Sequence, residues 1–282
     1  MRNYRLGLYE KAMPPDFSIE QKLECVKHCG FDYLELSVDE TEEKLNRLDW
    51  SESEIDVVIA AVCRTGVPIA TMCLSGHRKY PIGSADGPTR ERGMEILQNA
   101  VKLAEVLGIR IIQLAGYDVY YEPSTPEAVT RFAENLRLGV EFAASHGVIL
   151  AFETMETEFL NTVGKAMAHV KTLNSPYLQV YPDSGNLNNA AIQYGTSLKA
   201  DLESGRGHIA ALHLKETVPG VFRDIVAGEG QVDFQTVIQT AYGMGVRMYT
   251  AEMWYKDAAW KDNIRKTRDL FSRLLDEAAA IL

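Results

Sequence analysis

Apolar runs of strand length alternate with amphipathic stretches of helix length along the whole chain. The first half carries the runs YRLGLY (4–9), DYLELS (32–37), VPIATMCL (67–74) and IRIIQLAG (109–116). The second half adds VILAFE (148–153), LQVYPD (178–183), HIAALHLK (208–215) and VRMYTAEM (246–253). Val, Ile, Leu and Tyr dominate these runs and charge is almost absent, as expected of parallel strands covered on both faces. The segments at 18–29 and 51–66 open on Ser and end at or before Gly, while those at 88–108 and 125–147 carry Pro in the first turn and end at Gly. Shorter helices are expected at 161–173, 195–205 and 234–243, with a terminal one at 259–281. Gly30, Gly66, Gly108, Gly147 and Gly245 each stand just before a strand, where a helix C-cap glycine belongs.

Eight such strand–helix units in 282 residues fit a (β/α)₈ barrel of the α/β class, occupying 1–282 as one domain. A doubly wound open sheet would normally bring a glycine-rich phosphate loop after its first strand, and LYEKAMPPDFS offers none. Neither a linker nor a composition break divides the chain.

Composition narrows the partners. Apolar residues make up 46% and charged residues 24%, the balance of a globular protein with ample core. A net charge of −10 disfavours nucleic acid, because no overall basic field exists to recruit a phosphate backbone. The polar N-terminus MRNYRLGLYEKAMPP is unlike a signal peptide, and no run of about 18 apolar residues suggests a membrane span. Cys25, Cys29, Cys63 and Cys73 show no metal-knuckle spacing and are expected as buried or half-buried free thiols. A cytoplasmic protein is the expectation.

Candidate chemistry stands at the ends of four runs: Glu153, Asp183, His213 and Glu252. In a barrel the C-terminal ends of the strands form the active-site mouth, so these four side chains should converge. Three carboxylates and an imidazole suit one divalent metal ion (Mn²⁺, Zn²⁺ or Mg²⁺), and without a cation they would concentrate unpaired negative charge. YPDSGN around Asp183 reads as a tight turn. Lys215 and Glu216 follow His213 and are candidates for orienting its imidazole. His208 belongs at the far end of the same strand and is read as structural. His77, Arg78 and Lys79 form a basic cluster after the third run, on the catalytic side, where an anionic substrate group could be held. Lys11 and Arg223 are further cationic candidates.

The pattern of Glu, Asp-x-x-Asn, His and Glu resembles the xylose isomerase-like barrels, within their ketose 3-epimerase branch. The stretches GLYEKAMP, ELSVDET, RLDW, MCLSGHRKYPIGS, IQLAGYDVYY, YPDSGNL, GHIAALHLKET, PGVF with GEGQVDF, and EMW are similar to the L-ribulose-5-phosphate (L-xylulose-5-phosphate) 3-epimerases of L-ascorbate degradation. That resemblance covers residues 5 to 255 and implies C3 epimerisation of a small phosphorylated ketose through a cis-enediolate. It makes Glu153 and Glu252 both metal ligands and the acid–base pair, and Asp183 and His213 ligands only. It also points to Glu156 or Glu158 as a sugar contact and to Arg223 as a substrate contact; Asn186, a candidate polar contact to the substrate, stands where several free-sugar epimerases have His. Tyr117, Tyr120, Tyr121 and Trp254 are candidate pocket walls, and Asn161 a candidate N-cap. A homodimer is the candidate assembly. An aldose–ketose or hydroxypyruvate isomerase would use the same metal site. An inactive sugar-binding barrel should have lost Glu153 or Glu252, and a damaged-DNA endonuclease of this superfamily would need more histidines than the six present.

Overall fold

The computed structural model describes residues 2–281. The first half runs β1 (Arg5–Tyr9), α1 (Ile19–Cys29), β2 (Tyr33–Val38), α2 (Glu42–Leu45), α3 (Glu52–Thr65), β3 (Ile69–Leu74), α4 (Gly87–Leu107), β4 (Ile111–Ala115) and α5 (Pro126–Ser145). The second runs β5 (Ile149–Glu153), α6 (Val163–Leu173), β6 (Leu178–Val180), α7 (Ser184–Tyr194), α8 (Leu198–Ser204), β7 (Leu212–Leu214), α9 (Phe234–Gly243), β8 (Met248–Ala251) and α10 (Trp260–Ile281). Local chemistry sets the helix ends. Ser18 with Gln21, and Ser51 with Glu54, form reciprocal capping boxes on α1 and α3. Gly30, Gly66 and Gly108 close α1, α3 and α4 in the left-handed conformation, which costs a residue without Cβ little.

All eight strands are parallel and pair in the order β6-β5-β4-β3-β2-β1-β8-β7. The ring closes between β6 and β7 through isolated bridges, Val180 with Ile209 and Asp183 with His213. Three backbone hydrogen bonds cross this seam: Val180 N to His208 O at 2.8 Å, Ala210 N to Val180 O at 2.9 Å and His213 N to Pro182 O at 2.9 Å. Two of the four expected ligands therefore face each other across it.

Strand alternation divides the side chains between two layers. On β2, Leu34, Leu36 and Val38 join the main apolar cluster beneath the helices, while Tyr33, Glu35 and Ser37 lie outside it, on the other face. On that face the Tyr33 and Tyr181 hydroxyls meet Thr250 Oγ1 at 2.8 and 2.6 Å. Gly7 makes room for this packing, since a Cβ there would stand 2.1 Å from the Tyr33 ring.

The helix α7 takes the place of the expected tight turn: SGNLNNAAIQY is helical. Asp183 caps it, its carboxylate accepting the Asn186 N–H at 2.6 Å. Strands β6 and β7 are shorter than the apolar runs containing them. The Cys63 side chain is exposed, contrary to expectation, whereas Cys25 and Cys29 are half-buried and Cys73 is buried.

Candidate active site

Glu153 ends β5, Asp183 follows β6, His213 lies within β7 and Glu252 follows β8. One ligand atom from each can be chosen so that all four lie within 4.8 Å of one another. His213 Nδ1 is 2.8 Å from Glu252 Oε2, 3.5 Å from Glu153 Oε1 and 3.9 Å from Asp183 Oδ2. Its other nitrogen, Nε2, lies 2.6 Å from Glu35 Oε1. The residues expected to orient this ring do something else. Lys215 pairs with Asp183 Oδ1 at 3.1 Å and donates to Asn186 Oδ1 at 3.0 Å. The Glu216 carboxylate accepts backbone N–H groups of Thr217, Gly228, Gln231 and Val232, tying down the loop after β7.

The cluster is rich in negative charge. Four buried carboxylates, counting Glu35, surround one imidazole and the single ammonium of Lys215. Burial pushes the Asp183 carboxyl up to about 7, with Lys215 pulling it down and Glu252 pushing it further up. Against its own burial cost, Glu252 is held below the ordinary carboxylate range by Lys215 and His213. Burial disfavours an imidazolium at His213, yet Glu35 and Glu252 raise its proton affinity well above normal. Asp183 Oδ2 and Glu252 Oε2 are buried without a hydrogen-bond donor. Orphaned carboxylate oxygens of this kind are expensive unless something positive meets them, and a divalent ion among these four donors would do so. The donor set fits such an ion.

Above the cluster opens a cavity lined by Glu153 and Glu252, with Lys11, Arg78, Glu156, Asn186, Lys215, Arg223 and Trp254 around them. Tyr9, Cys73, Ser75, Met155 and Phe222 complete the wall. Asp183 and His213 have no exposed surface and form the floor.

Residues 23–274 match the model of the xylose isomerase-like TIM barrel family. The chain belongs to that family. Among curated family relatives, the SgbU protein of Escherichia coli (strain K12) is 47% identical over 92% of this chain and 91% of its own length. L-ribulose-5-phosphate 3-epimerase UlaE of Salmonella heidelberg (strain SL476) is 43% identical over 90% of this chain and 88% of its own. The barrel also superposes on a crystal structure of D-psicose 3-epimerase with a TM-score of 0.82 and 16% identity, covering 96% and 99% of the two chains. A xylose isomerase-like TIM barrel protein from Mycobacterium smegmatis in complex with magnesium gives a TM-score of 0.74 at 16% identity, covering 99% of both chains.

Within this family barrel, the substrate candidates divide. Lys11, Arg78, Glu156, Asn186 and Arg223 reach the cavity; His77 and Lys79 do not. The 3₁₀ turn Gly76–Arg78 buries His77, whose Nε2 bonds to the Gly93 carbonyl at 3.0 Å. Lys79 points to the surface and pairs with Glu42 at 3.0 Å. Glu156 is held by two phenols, with Tyr117 donating to Oε2 at 2.7 Å and Tyr120 to Oε1 at 3.2 Å. Arg78 stacks 4.7 Å from the Tyr120 ring centre and donates to Tyr117 Oη at 3.1 Å. Tyr117 and Tyr120 thus support the wall, while Tyr121 is exposed and bonds Glu40. Glu158 is exposed and outside the cavity lining, and the N-cap of α6 is Thr162, not Asn161. His208 lies before β7, away from the cluster, as expected. Glu35 was missed. Its one sequence signal is an acid in a covered strand, in step with Tyr33 and Ser37 on one face.

Proposed function

We propose that this chain is a ketose-phosphate 3-epimerase that interconverts L-xylulose 5-phosphate and L-ribulose 5-phosphate. The observation that carries this reading is the division of the cluster. Glu153 and Glu252 reach the cavity, and Asp183 and His213 are sealed beneath it. Epimerisation at C3 removes a proton from one face of the sugar and returns one to the other. The two glutamates come from β5 and β8, with β6 and β7 between them, so they flank a substrate from two sides. One takes the C3 proton and the other supplies its replacement. In the reverse direction they exchange roles.

A divalent ion held by Glu153, Asp183, His213 and Glu252 would supply Lewis-acid stabilisation of the charge that develops at O2 and O3. The relatives' epimerase name and the magnesium-bound family member support this reading. Asn186 and Glu156 orient sugar hydroxyls in the cavity, Glu156 with its carboxylate already fixed by Tyr117 and Tyr120. Lys11, Arg78 and Arg223 supply the positive charge for the phosphate end, and Trp254, beneath Arg223 at 5.5 Å, covers the chain. The free thiols agree with a reducing compartment, the cytoplasm.

The test is incubation of L-xylulose 5-phosphate with the protein in D₂O. Deuterium at C3 together with L-ribulose 5-phosphate is the expected result. An aldose product, with deuterium at C2, would instead assign an aldose–ketose isomerase, and neither exchange nor a new sugar would leave a binding barrel.

A further inference from the structure

Beneath the cluster lies a carboxylate that the reaction itself does not use. Glu35, in the middle of β2, is fully buried and every hydrogen bond it makes is internal. Its Oε2 accepts the Thr71 hydroxyl at 2.7 Å and the Tyr181 hydroxyl at 2.9 Å. Its Oε1 faces His213 Nε2 at 2.6 Å. We infer that Glu35 is a positioning residue that keeps the proton of His213 on Nε2, so that Nδ1 presents its lone pair to a cation among Glu153, Asp183 and Glu252. This inference rests on the reading of that cluster as a cation site.

The donor inventory around the ring argues for it. Glu35 Oε2 already accepts from two hydroxyls, and its Oε1 at 2.6 Å from Nε2 is placed to accept the ring N–H. On the opposite side, the Gln113 side-chain nitrogen lies 3.3 Å from Nδ1, where an amide N–H would donate to a lone pair. Glu252 Oε2 at 2.8 Å and Glu153 Oε1 at 3.5 Å from Nδ1 stand where a bound cation would replace any proton on that nitrogen. Nδ1 is thus supplied with one donor and faces carboxylate oxygens, the surroundings of a metal-ligating nitrogen.

Glu35 is itself held fast. Tyr181 Oη also meets Thr250 Oγ1 at 2.6 Å, and Thr250 meets Tyr33 Oη at 2.8 Å. The Tyr33 hydroxyl ends on the Tyr249 carbonyl at 2.9 Å. A chain of hydrogen bonds therefore crosses the barrel interior from β8 through β6 to β2 and ends on the ligand ring from β7. Partners of ligating histidines tune metal affinity by roughly 10–100-fold when changed.

The experiment titrates Mn²⁺ into chelator-stripped protein and follows the free ion by electron paramagnetic resonance, for the parent and Glu35→Gln. The amide keeps the shape but removes the charge that holds the ring proton. Affinity for Mn²⁺ should fall by roughly 10–100-fold with the circular dichroism spectrum unchanged. Affinity within about twofold of the parent would overturn the role of Glu35 while leaving the cation site standing. A parent that does not bind Mn²⁺ would remove the cation site, and the inference with it. Should Glu35→Gln not fold, Thr71→Val with Tyr181→Phe loosens the same carboxylate. Several-fold weaker binding is then expected, and parental affinity would overturn the proposal. Nitrogen-resolved NMR of the Zn²⁺-loaded parent gives a readout that mere structural support would not move. It should show the His213 proton on Nε2, and a proton on Nδ1 would sink the inference.

Discussion

Asp183 and Asn186 face each other across the first turn of α7. The Asn186 N–H donates to Asp183 Oδ1 at 2.6 Å, which leaves Asp183 Oδ2 facing His213 without a donor. One carboxylate thus closes a helix with one oxygen and offers the other to the cluster. Asp183→Asn keeps an oxygen for the cap but loses the charge. The helix should survive, with circular dichroism unchanged, while Mn²⁺ affinity falls at least about tenfold. Unaltered affinity in a calorimetric titration would remove Asp183 from the ligand set.

Glu153→Gln and Glu252→Gln should each lower kcat by at least about 100-fold, the scale of a lost general acid or base. Deuterium exchange at C3 separates the two. Each variant should lose exchange from one epimer more than from the other, because each glutamate serves a different face. Residual turnover above about a tenth of the parent value would exclude that residue as acid or base.

The two neighbours in the basic stretch after β3 should behave differently. Arg78 lines the cavity and is held against Tyr117 and Tyr120, whereas Lys79 pairs with Glu42 at the surface. Arg78→Ala should raise KM for the phosphorylated ketose by about tenfold or more, a charged contact being worth about 1.5–3 kcal/mol. Lys79→Ala should leave KM within about twofold. The reverse order in steady-state kinetics would relocate the phosphate site.

Glu10 opens the short turn that follows β1. It is fully buried and meets Arg47 at 2.8 Å, Lys44 at 3.4 Å and Lys22 at 3.6 Å. Glu10→Gln would leave three cations without their common counter-ion, at a cost of about 3–5 kcal/mol. Guanidinium unfolding reports this directly, and a loss below about 1 kcal/mol would show that the cations find other partners.

His77 gives a pH signature. Burial pushes its imidazole from 6.5 down to about 4, against the pull of its hydrogen bond to Gly93. Below pH 6.5 the unfolded chain takes up a proton that the folded chain refuses. Stability therefore falls as pH drops from about 6.5 to 4, by about 1.4 kcal/mol per unit and about 3 kcal/mol across the window. Above pH 6.5 the residue is neutral in both states and contributes no slope. His77→Gln should flatten this part of the stability curve, measured as urea midpoints against pH. A slope unchanged from the parent would mean that the ring is not kept neutral.

The barrel and the four converging residues were legible because both depend on patterns that repeat along the chain. Covered strands lack charge, so an acid or histidine at the end of one is conspicuous. The side on which a short loop turns its residues is not encoded that way. His77 and Lys79 share a basic stretch with Arg78, yet one is buried and one faces solvent, because a 3₁₀ turn separates neighbours by about a third of a circle. The helix α7 hid for a different reason: its Gly and Asn residues are poor helix formers, and its stability comes from the Asp183 cap and from packing of Leu187 and Ala190. Glu35 hid because its partner is 178 residues away.

The sparse closure between β6 and β7 has a mechanical consequence. Regular ladders hold the other neighbouring strands, but here isolated bridges join the edges, and Asp183 and His213 stand on opposite sides. A cation gripping both would act as a rivet across the weakest joint of the cylinder. Amide protons of residues 178–183 and 209–214 should then exchange with solvent more slowly when Mn²⁺ is added, while those of β2 and β3, far round the wall, keep their rates. Catalytic competence and closure of the barrel would thus be set by the same ion.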